Sequence, residues 1–246
     1  MFRIALHGYG AMGQAIEHLA IGHGCTIVAC CHEHNPISTL PLGTADAIVD
    51  FSVADAVPTA VQAAATLGIP IVVGTTGWYN RLDEMRAIAS TAGVGMVYGT
   101  NFSIGVHMFF RLVEAAATMV NTQADYDVML HEWHHANKRD SPSGTALTAA
   151  GRLLAHIERK RFMKTEPYNT TPDASTLHVT STRGGHIAGR HQLTIDGPFD
   201  RIDIIHDARS RDGFASGALQ AARWIVGRTD VVDVSDVAAD ILGLHP

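Results

Sequence analysis

Between Leu130 and Ala146 the chain reads LHEWHHANKRDSPSGTA, which sets three histidines, an acid and a lysine just ahead of Pro-Ser-Gly-Thr. Taken literally, His131-Glu132-Trp133-His134-His135 satisfies H-E-x-x-H, a pattern in which two histidines on one face of a helix hold zinc. The surroundings remove that helix. DYDVMLHEW alternates as a strand does, and HHANKRDSPSG carries Pro142 and Gly144, which stop helices. His131 and His135 are therefore expected at the end of a strand and in a loop, with no metal between them, and His131 reads as a buried structural histidine. The rest of the stretch starts a helix. Ser143, Gly144 and Thr145 open a long alanine-rich segment whose first N–H groups, unpaired at a helix start, form an anion site. With His134, His135 and Lys138 just upstream, that environment attracts a carboxylate. Lys138 is one of three lysines among 18 basic residues, and a compact ammonium able to lose its proton when desolvated is a candidate for chemistry.

A second constellation lies near the N-terminus. HGYGAMG places Gly8-x-Gly10-x-x-Gly13 directly after an apolar run and at the start of a helical pattern. In that context the first glycine allows a tight turn, the second admits a pyrophosphate to backbone N–H groups, and the third permits close helix packing. Gly8, Tyr9, Gly10, Ala11, Met12 and Gly13 are thus candidate cofactor contacts. Glu33 follows by the roughly 20 residues expected of an acid that binds adenosine ribose hydroxyls. No Arg or Lys occurs in ACCHEHNPIS, which leaves His32 and His34 to meet a 2′-phosphate, so NADH is slightly favoured over NADPH and neither is excluded. GTTGW (Gly74, Thr75, Thr76) and YGTNF (Gly99, Thr100, Asn101, Phe102) follow the fourth and fifth apolar runs, where ligands meet an open parallel sheet.

The elements needed to hold these residues are legible. FRIALHG, TIVACC, DAIVDFS, IPIVVGTT and VGMVYGT read as strands, and the alanine-rich segments between them read as helices with glycine stops. Strict alternation of this kind predicts a Rossmann-type parallel-sheet nucleotide domain with helices on both faces. After the helix-like NFSIGVHMFFRLVEAAATMV the rhythm changes. DYDVMLHEW, TLHVTSTR, RHQLTIDG and DRIDIIHDA predict four strands of an open mixed sheet in an α+β substrate domain, with SGTALTAAGRLLAHIERK a helix between the first two. The stretch from Phe162 to Ser175 reads as loop.

The chain has 246 residues, 46% hydrophobic and 17% charged, enough for two domains. A formal charge of −6 argues against a nucleic-acid surface. Cys25, Cys30 and Cys31 form neither a metal pair nor an even disulfide framework, so a reducing cytoplasm is expected. No apolar run approaches the roughly 18 residues of a membrane span.

The motif E-x-H-H-x-x-K-x-D-x-P-S-G-T-A, from Glu132 to Ala146, resembles the signature of the 4-hydroxy-tetrahydrodipicolinate reductase (dihydrodipicolinate reductase) family of diaminopimelate and lysine biosynthesis. GYGAMG, GTTGW, NFSIGV, STRGGHIAGRH and SRDGFASGALQAARWI fall in that family's order, so the resemblance spans essentially the whole chain. It implies that His134 donates a proton, that Lys138 is its essential partner, and that His135 with Ser143, Gly144 and Thr145 holds a substrate carboxylate. It also implies a homotetramer and a dinucleotide-binding domain of residues 1–105 with 213–246. Residues 106–212 then bind the dicarboxylate substrate and carry the oligomer contacts, and closure of the domains joins the two reactants. Two positions depart from the pattern: Arg190 replaces an acid beside His191, and the arginine that would bind a cofactor phosphate is missing. Another two-domain amino-acid or semialdehyde dehydrogenase, or a non-catalytic nucleotide sensor, would share the nucleotide half without needing the His-His-x-x-Lys and Pro-Ser-Gly-Thr pairing.

Overall fold

The computed structural model describes residues 1–32, 34–41 and 43–244. In chain order the elements are β1 (Phe2–His7), α1 (Ala11–Ala20), β2 (Cys25–Cys31), β3 (Ala47–Asp50), α2 (Val57–Leu67), β4 (Ile71–Val73), α3 (Leu82–Ala92), β5 (Met96–Tyr98) and α4 (Ile104–Asn121). They continue with β6 (Asp127–His134), α5 (Gly144–His156), β7 (Phe162–Lys164), β8 (Thr176–Arg183), β9 (Arg190–Asp196), β10 (Arg201–Asp207), α6 (Asp212–Ile225), β11 (Val231–Asp233) and α7 (Val234–Ile241). Two compact units result, residues 1–104 with 211–246, and residues 105–210.

The first unit is a six-stranded sheet of order β11-β5-β4-β3-β1-β2, parallel at every pairing. Its inner strands are apolar runs because both faces are covered. Ala5, Ile48, Ile71, Val73 and Met96 face α2 and α3, while Ile4, Leu6, Val49, Val72 and Val97 face α1 and α6. α2 accepts Pro58 in its first turn, where a missing N–H costs nothing. From β1 the chain runs to β2 on one side and then to β3 on the other, so the order reverses between β1 and β3. In open α/β sheets the ligand crevice lies at that reversal, outside the carboxyl ends of the strands.

The second unit is a five-stranded mixed sheet of order β10-β9-β6-β8-β7. β6 and β8 run parallel, a pairing reached by crossing over through α5, and β6, β9 and β10 run antiparallel. One face is apolar: Val128, Leu130, Leu177, Val179, Leu193 and Ile195 pack against α4 and α5. The sequence predicts four strands here and leaves Phe162–Ser175 as loop, whereas residues 162–164 form an edge strand parallel to β8. β11 was not foreseen either. Both are three residues long, too short to show a period, and exist because a neighbouring strand supplies the hydrogen bonds.

Candidate active site

The apolar face of the second sheet changes character at one end. Two and four residues beyond Leu130 along β6 stand Glu132 and His134, while His191 lies two residues from Leu193 on β9 and Arg183 four residues from Val179 on β8. The register places Glu132 opposite His191 and His134 opposite Arg183. Strand alternation therefore carries these polar side chains onto the face that packs against α4 and α5, and Glu132 (0% exposed), His134 (7%) and His191 (4%) are buried.

Glu132 is the hub of this cluster. One carboxylate oxygen accepts from Arg183 Nη2 at 2.7 Å and from the Ser143 backbone N–H at 3.2 Å, and the other accepts from His134 Nδ1. Burial by itself pushes a carboxyl pKa up, but the hydrogen bonds from His134 and Arg183 outweigh it and bring Glu132 down to about 2. Ser143 caps α5, its Oγ accepting from Ala146 N at 3.2 Å while lying 3.1 Å from His191 Nε2. Gly189 stands beside the other nitrogen of His134, with a Cβ position 2.9 Å from Nε2, so any side chain there would cover that atom. Glu132, His134 and His191 lie close enough to converge on a cation, with ligand atoms within 4.8 Å of one another, but the Arg183 guanidinium already neutralises Glu132.

Burial, reinforced by the charge of His134, depresses His191 to about 3. The folded protein therefore keeps His191 neutral, while the unfolded chain protonates it near 6.5, and stability must fall as pH drops from about 6.5 toward 3. Glu132 acts in the same direction at lower pH. Its stabilisation is present above 4.5 and is lost as pH falls toward 2. Denaturant midpoints measured across this range should decline steadily. A His191→Gln variant should be flatter between 6.5 and 4.5 and keep the carboxylate-borne loss below.

The other expected site residues fall around the cluster. The loop from His135 to Pro142 returns the chain from β6 to α5, and its start is held by His135 N–H donating to Ile187 O at 2.8 Å. Lys138 is half-buried, pairs with Asp140 at 2.8 Å, and lies near enough that its charge helps to depress His191. Gly144 and Thr145 form the first turn of α5, whose sequence carries no acid there, and a Cβ at Gly144 would meet nothing within 4 Å. His131 corrects an expectation. It is half-buried on the opposite face of the sheet, bonded to Thr180 and Thr182, because it is one residue out of phase with Glu132 and His134. Arg190 shares that opposite face, 5.2 Å over the Trp133 ring, so its replacement of an acid places no charge among the buried cluster.

In the first unit the glycine-rich loop joins β1 to α1 at the reversal of strand order. Gly8 has φ +89° and a Cβ position 2.4 Å from Phe51 O, and a Cβ on Gly13 would lie 2.5 Å from Gly8 O, so both are required by packing. Gly10 differs. It is exposed, caps α1 without a side-chain bond, and has nothing within 4 Å of its Cβ position. That open cradle beside free helix N–H groups fits a pyrophosphate. A Gly10→Ala variant should keep its melting temperature yet bind NADH about 10-fold more weakly, roughly 1.4 kcal/mol, by fluorescence titration. Other residues divide by role. Gly74 and Gly99 are small because Phe51 and Val234 occupy the space their side chains would fill, and Phe102 is a core residue at 1% exposure. Thr75 is buried and donates to Asp50 Oδ2 at 2.6 Å, while Thr76 and Thr100 are exposed. Tyr9 is exposed and bonds Glu17. Glu33 lies outside the described residues.

Sequence reasoning missed the carboxylates that organise both places. Asp50, at the end of β3, accepts from His7 Nδ1, Ser52 Oγ and Thr75 Oγ1, each at 2.6 Å, and ties three loops of the crevice together. Glu132 does the same for His134 and α5. The available signal for Glu132 was its place two residues before His134 in a strand, which puts both on one face. Arg183 and His191 stood in the sequence only as members of the run STRGGHIAGRH, with no role assigned, because they reach the cluster from other strands.

Residues 2–102 match the family profile described as dihydrodipicolinate reductase, N-terminus, and residues 105–238 match its C-terminus. The chain belongs to the dihydrodipicolinate reductase family. The 4-hydroxy-tetrahydrodipicolinate reductase of Christiangramia forsetii is 34% identical over 238 residues, covering 97% of this chain and 98% of the relative. That of Archaeoglobus fulgidus is 39% identical over 184 residues, 74% of this chain and 70% of the relative. Among solved structures, the dipicolinate-bound dihydrodipicolinate reductase of Paenisporosarcina sp. TG-14 has a TM-score of 0.75 at 20% identity, covering 96% of this chain and 99% of that one. At that identity the likeness is one of fold. It matches a parallel Rossmann-type sheet joined to a second, mixed sheet, the α/β architecture of a dihydrodipicolinate reductase.

Proposed function

We infer that this dihydrodipicolinate reductase uses NADH or NADPH to reduce 4-hydroxy-tetrahydrodipicolinate to tetrahydrodipicolinate, a step of diaminopimelate and lysine biosynthesis. The observation that carries the mechanism is the buried Glu132-His134 pair set directly against the start of α5, a proton donor beside an anion-binding helix end. The nucleotide, when bound, supplies the hydride. The open Gly10 and the exposed Thr76 and Thr100, on the loops after β4 and β5, are the residues of the first unit assigned to it, with NADH slightly favoured because no Arg or Lys follows β2 to meet a 2′-phosphate.

The chain's own residues do the rest. The N–H groups of Gly144 and Thr145, with His135 and Ser143, receive a carboxylate of the cyclic imine after the hydroxylated precursor has lost water. Lys138 stabilises the negative charge that develops as the electron-poor carbon accepts hydride. His134 delivers the proton from Nε2 to the neighbouring position, its Nδ1 being held by Glu132. Hydride plus proton completes the reduction, and no resident metal is required. We place the enzyme in the cytoplasm, where Cys25, Cys30 and Cys31 stay as thiols. The sheet face opposite α4 and α5, with exposed Met129 and Ile205, is where four copies would meet as a homotetramer.

The test is NADH or NADPH oxidation on adding the fresh condensation product of pyruvate and aspartate semialdehyde. Turnover well above a control lacking that product supports the reading. Its absence with both cofactors rejects it and favours a nucleotide sensor, while turnover only with an amino acid or another semialdehyde favours a different dehydrogenase.

A further inference from the structure

The buried carboxylate of Glu132 touches three things that the reaction must keep in step, and none of them needs a carboxylate merely to fold. A satisfied core at this position would be apolar, as it is at Val128 and Leu130 on the same strand face. Instead a fully buried anion stands there with a half-buried counter-cation, Arg183, whose side chain is 17% exposed. Taking a carboxylate fully out of water carries a desolvation cost that most of its attraction to a cation goes into offsetting, so the pair is a poor device for stability alone.

We propose that Glu132 is a positioning residue which, by accepting from His134 Nδ1 and from Ser143 N–H at once, locks the proton-delivering histidine to the helix start that reads the substrate's carboxylate. The proposal rests on the reductase reading and adds to it a named residue and a named tautomer. An ionised carboxylate offers no proton, so His134 must present N–H at Nδ1. Its Nε2 is then the atom that gains and gives the transferred proton, and Gly189 presents no side chain to it where a Cβ would stand 2.9 Å away. The Ser143 N–H belongs to the N-cap of α5, immediately before Gly144 and Thr145. Proton donor and carboxylate site are therefore tied to one carboxylate rather than to two separately moving loops. Arg183, donating to Glu132 Oε1 and to Asp140 O, fixes the anion and the loop that carries Lys138 in the same gesture.

The experiment compares wild type with Glu132→Gln, which keeps shape and removes charge. Loss of an orienting carboxylate behind a working histidine or ligand lowers function by about 10- to 10⁴-fold in other enzymes, and we expect kcat to fall about 100-fold here. The dissociation constant for NADH should stay within about 2-fold, because the residue lies outside the nucleotide unit. Long-range proton–nitrogen NMR of neutral His134 should show the Nδ1–H tautomer in wild type and a mixture or the Nε2–H form in the variant. A role in folding alone would not move that signature. Wild-type kcat in a folded Glu132→Gln protein overturns the proposal. So does an Nε2–H tautomer in the wild-type protein, a measurement that remains decisive if the variant does not fold. Failure of the reductase reading is separate, since it would appear as no turnover by wild type itself.

Discussion

Replacing Lys138 with alanine lowers the rate of substrate reduction by about 10²- to 10³-fold while leaving NADH binding and the melting temperature close to wild type. The size follows from removing a single group that stabilises charge developing in a water-poor site. The selectivity follows from where the lysine sits. Its pairing with Asp140 is partly solvated, with side chains 26% and 55% exposed, and such pairs contribute about 0–1 kcal/mol to stability. Its proposed contribution to the reaction comes instead from its nearness to the buried cluster, where its charge is felt at His191. Lys138→Arg should not restore the rate, because a planar guanidinium with fixed donors cannot substitute for a compact ammonium on a flexible stem. Single-turnover assays with saturating substrate, set beside fluorescence titration of NADH, check both halves. A normal rate in Lys138→Ala removes the role assigned to this residue.

The second large effect is on folding. A Cβ added at Gly217, within α6, would stand 1.7 Å from the carbonyl oxygen of Phe102 and 2.8 Å from its carbon. Neither is the end of a flexible side chain, and Phe102 is itself locked in the core at 1% exposure, in edge contact with Phe51. Helix or strand loop must therefore shift. Alanine gains about 1 kcal/mol of helix propensity over glycine, and overpacking of a rigid core costs about 3 kcal/mol or more in the severe cases. The overlap wins. Gly217→Ala should lose at least about 2 kcal/mol, which lowers the melting temperature by roughly 4–8 °C in a chain of this size. Gly151→Ala is the control. That glycine is exposed in α5 with nothing within 4 Å of its Cβ position, so the propensity gain should appear alone as a small stabilisation. If both variants melt alike, the close approach of α6 to the β5 loop is not rigid.

Local pattern and tertiary context divide the information unevenly. The Rossmann-type half was readable because its inner strands are continuous apolar runs separated by alanine-rich helices that end on Gly68 and Gly93, each signal lying within a dozen residues. The start of α5 was readable for the same reason, Ser143 being a local cap whose Oγ accepts from Ala146 N. β7 and β11 were not, since three residues show no period and their hydrogen bonds come from β8 and β5. His131 was placed in a strand, but its face was misjudged. Face is set by phase relative to a core, and only the packing of Val128 and Leu130 against α4 and α5 shows which phase is buried.

By itself the sequence determined the order of strands and helices, the glycine-rich turn after β1, and the local run that brings His134, Lys138 and the Ser143 helix start within ten residues of chain. These depend on interactions between near neighbours, which a linear reading can see. Only the tertiary structure decided that Glu132 is the hub of the site, because the guanidinium and the backbone N–H that join His134 on it come from β8 and from the N-cap of α5, and that His191 is kept neutral by burial. It also decided that Gly10 faces open space while Gly74, Gly99 and Gly217 leave room for the protein. Glycine has one letter for both uses, and the neighbouring atoms that distinguish them are brought together only by folding.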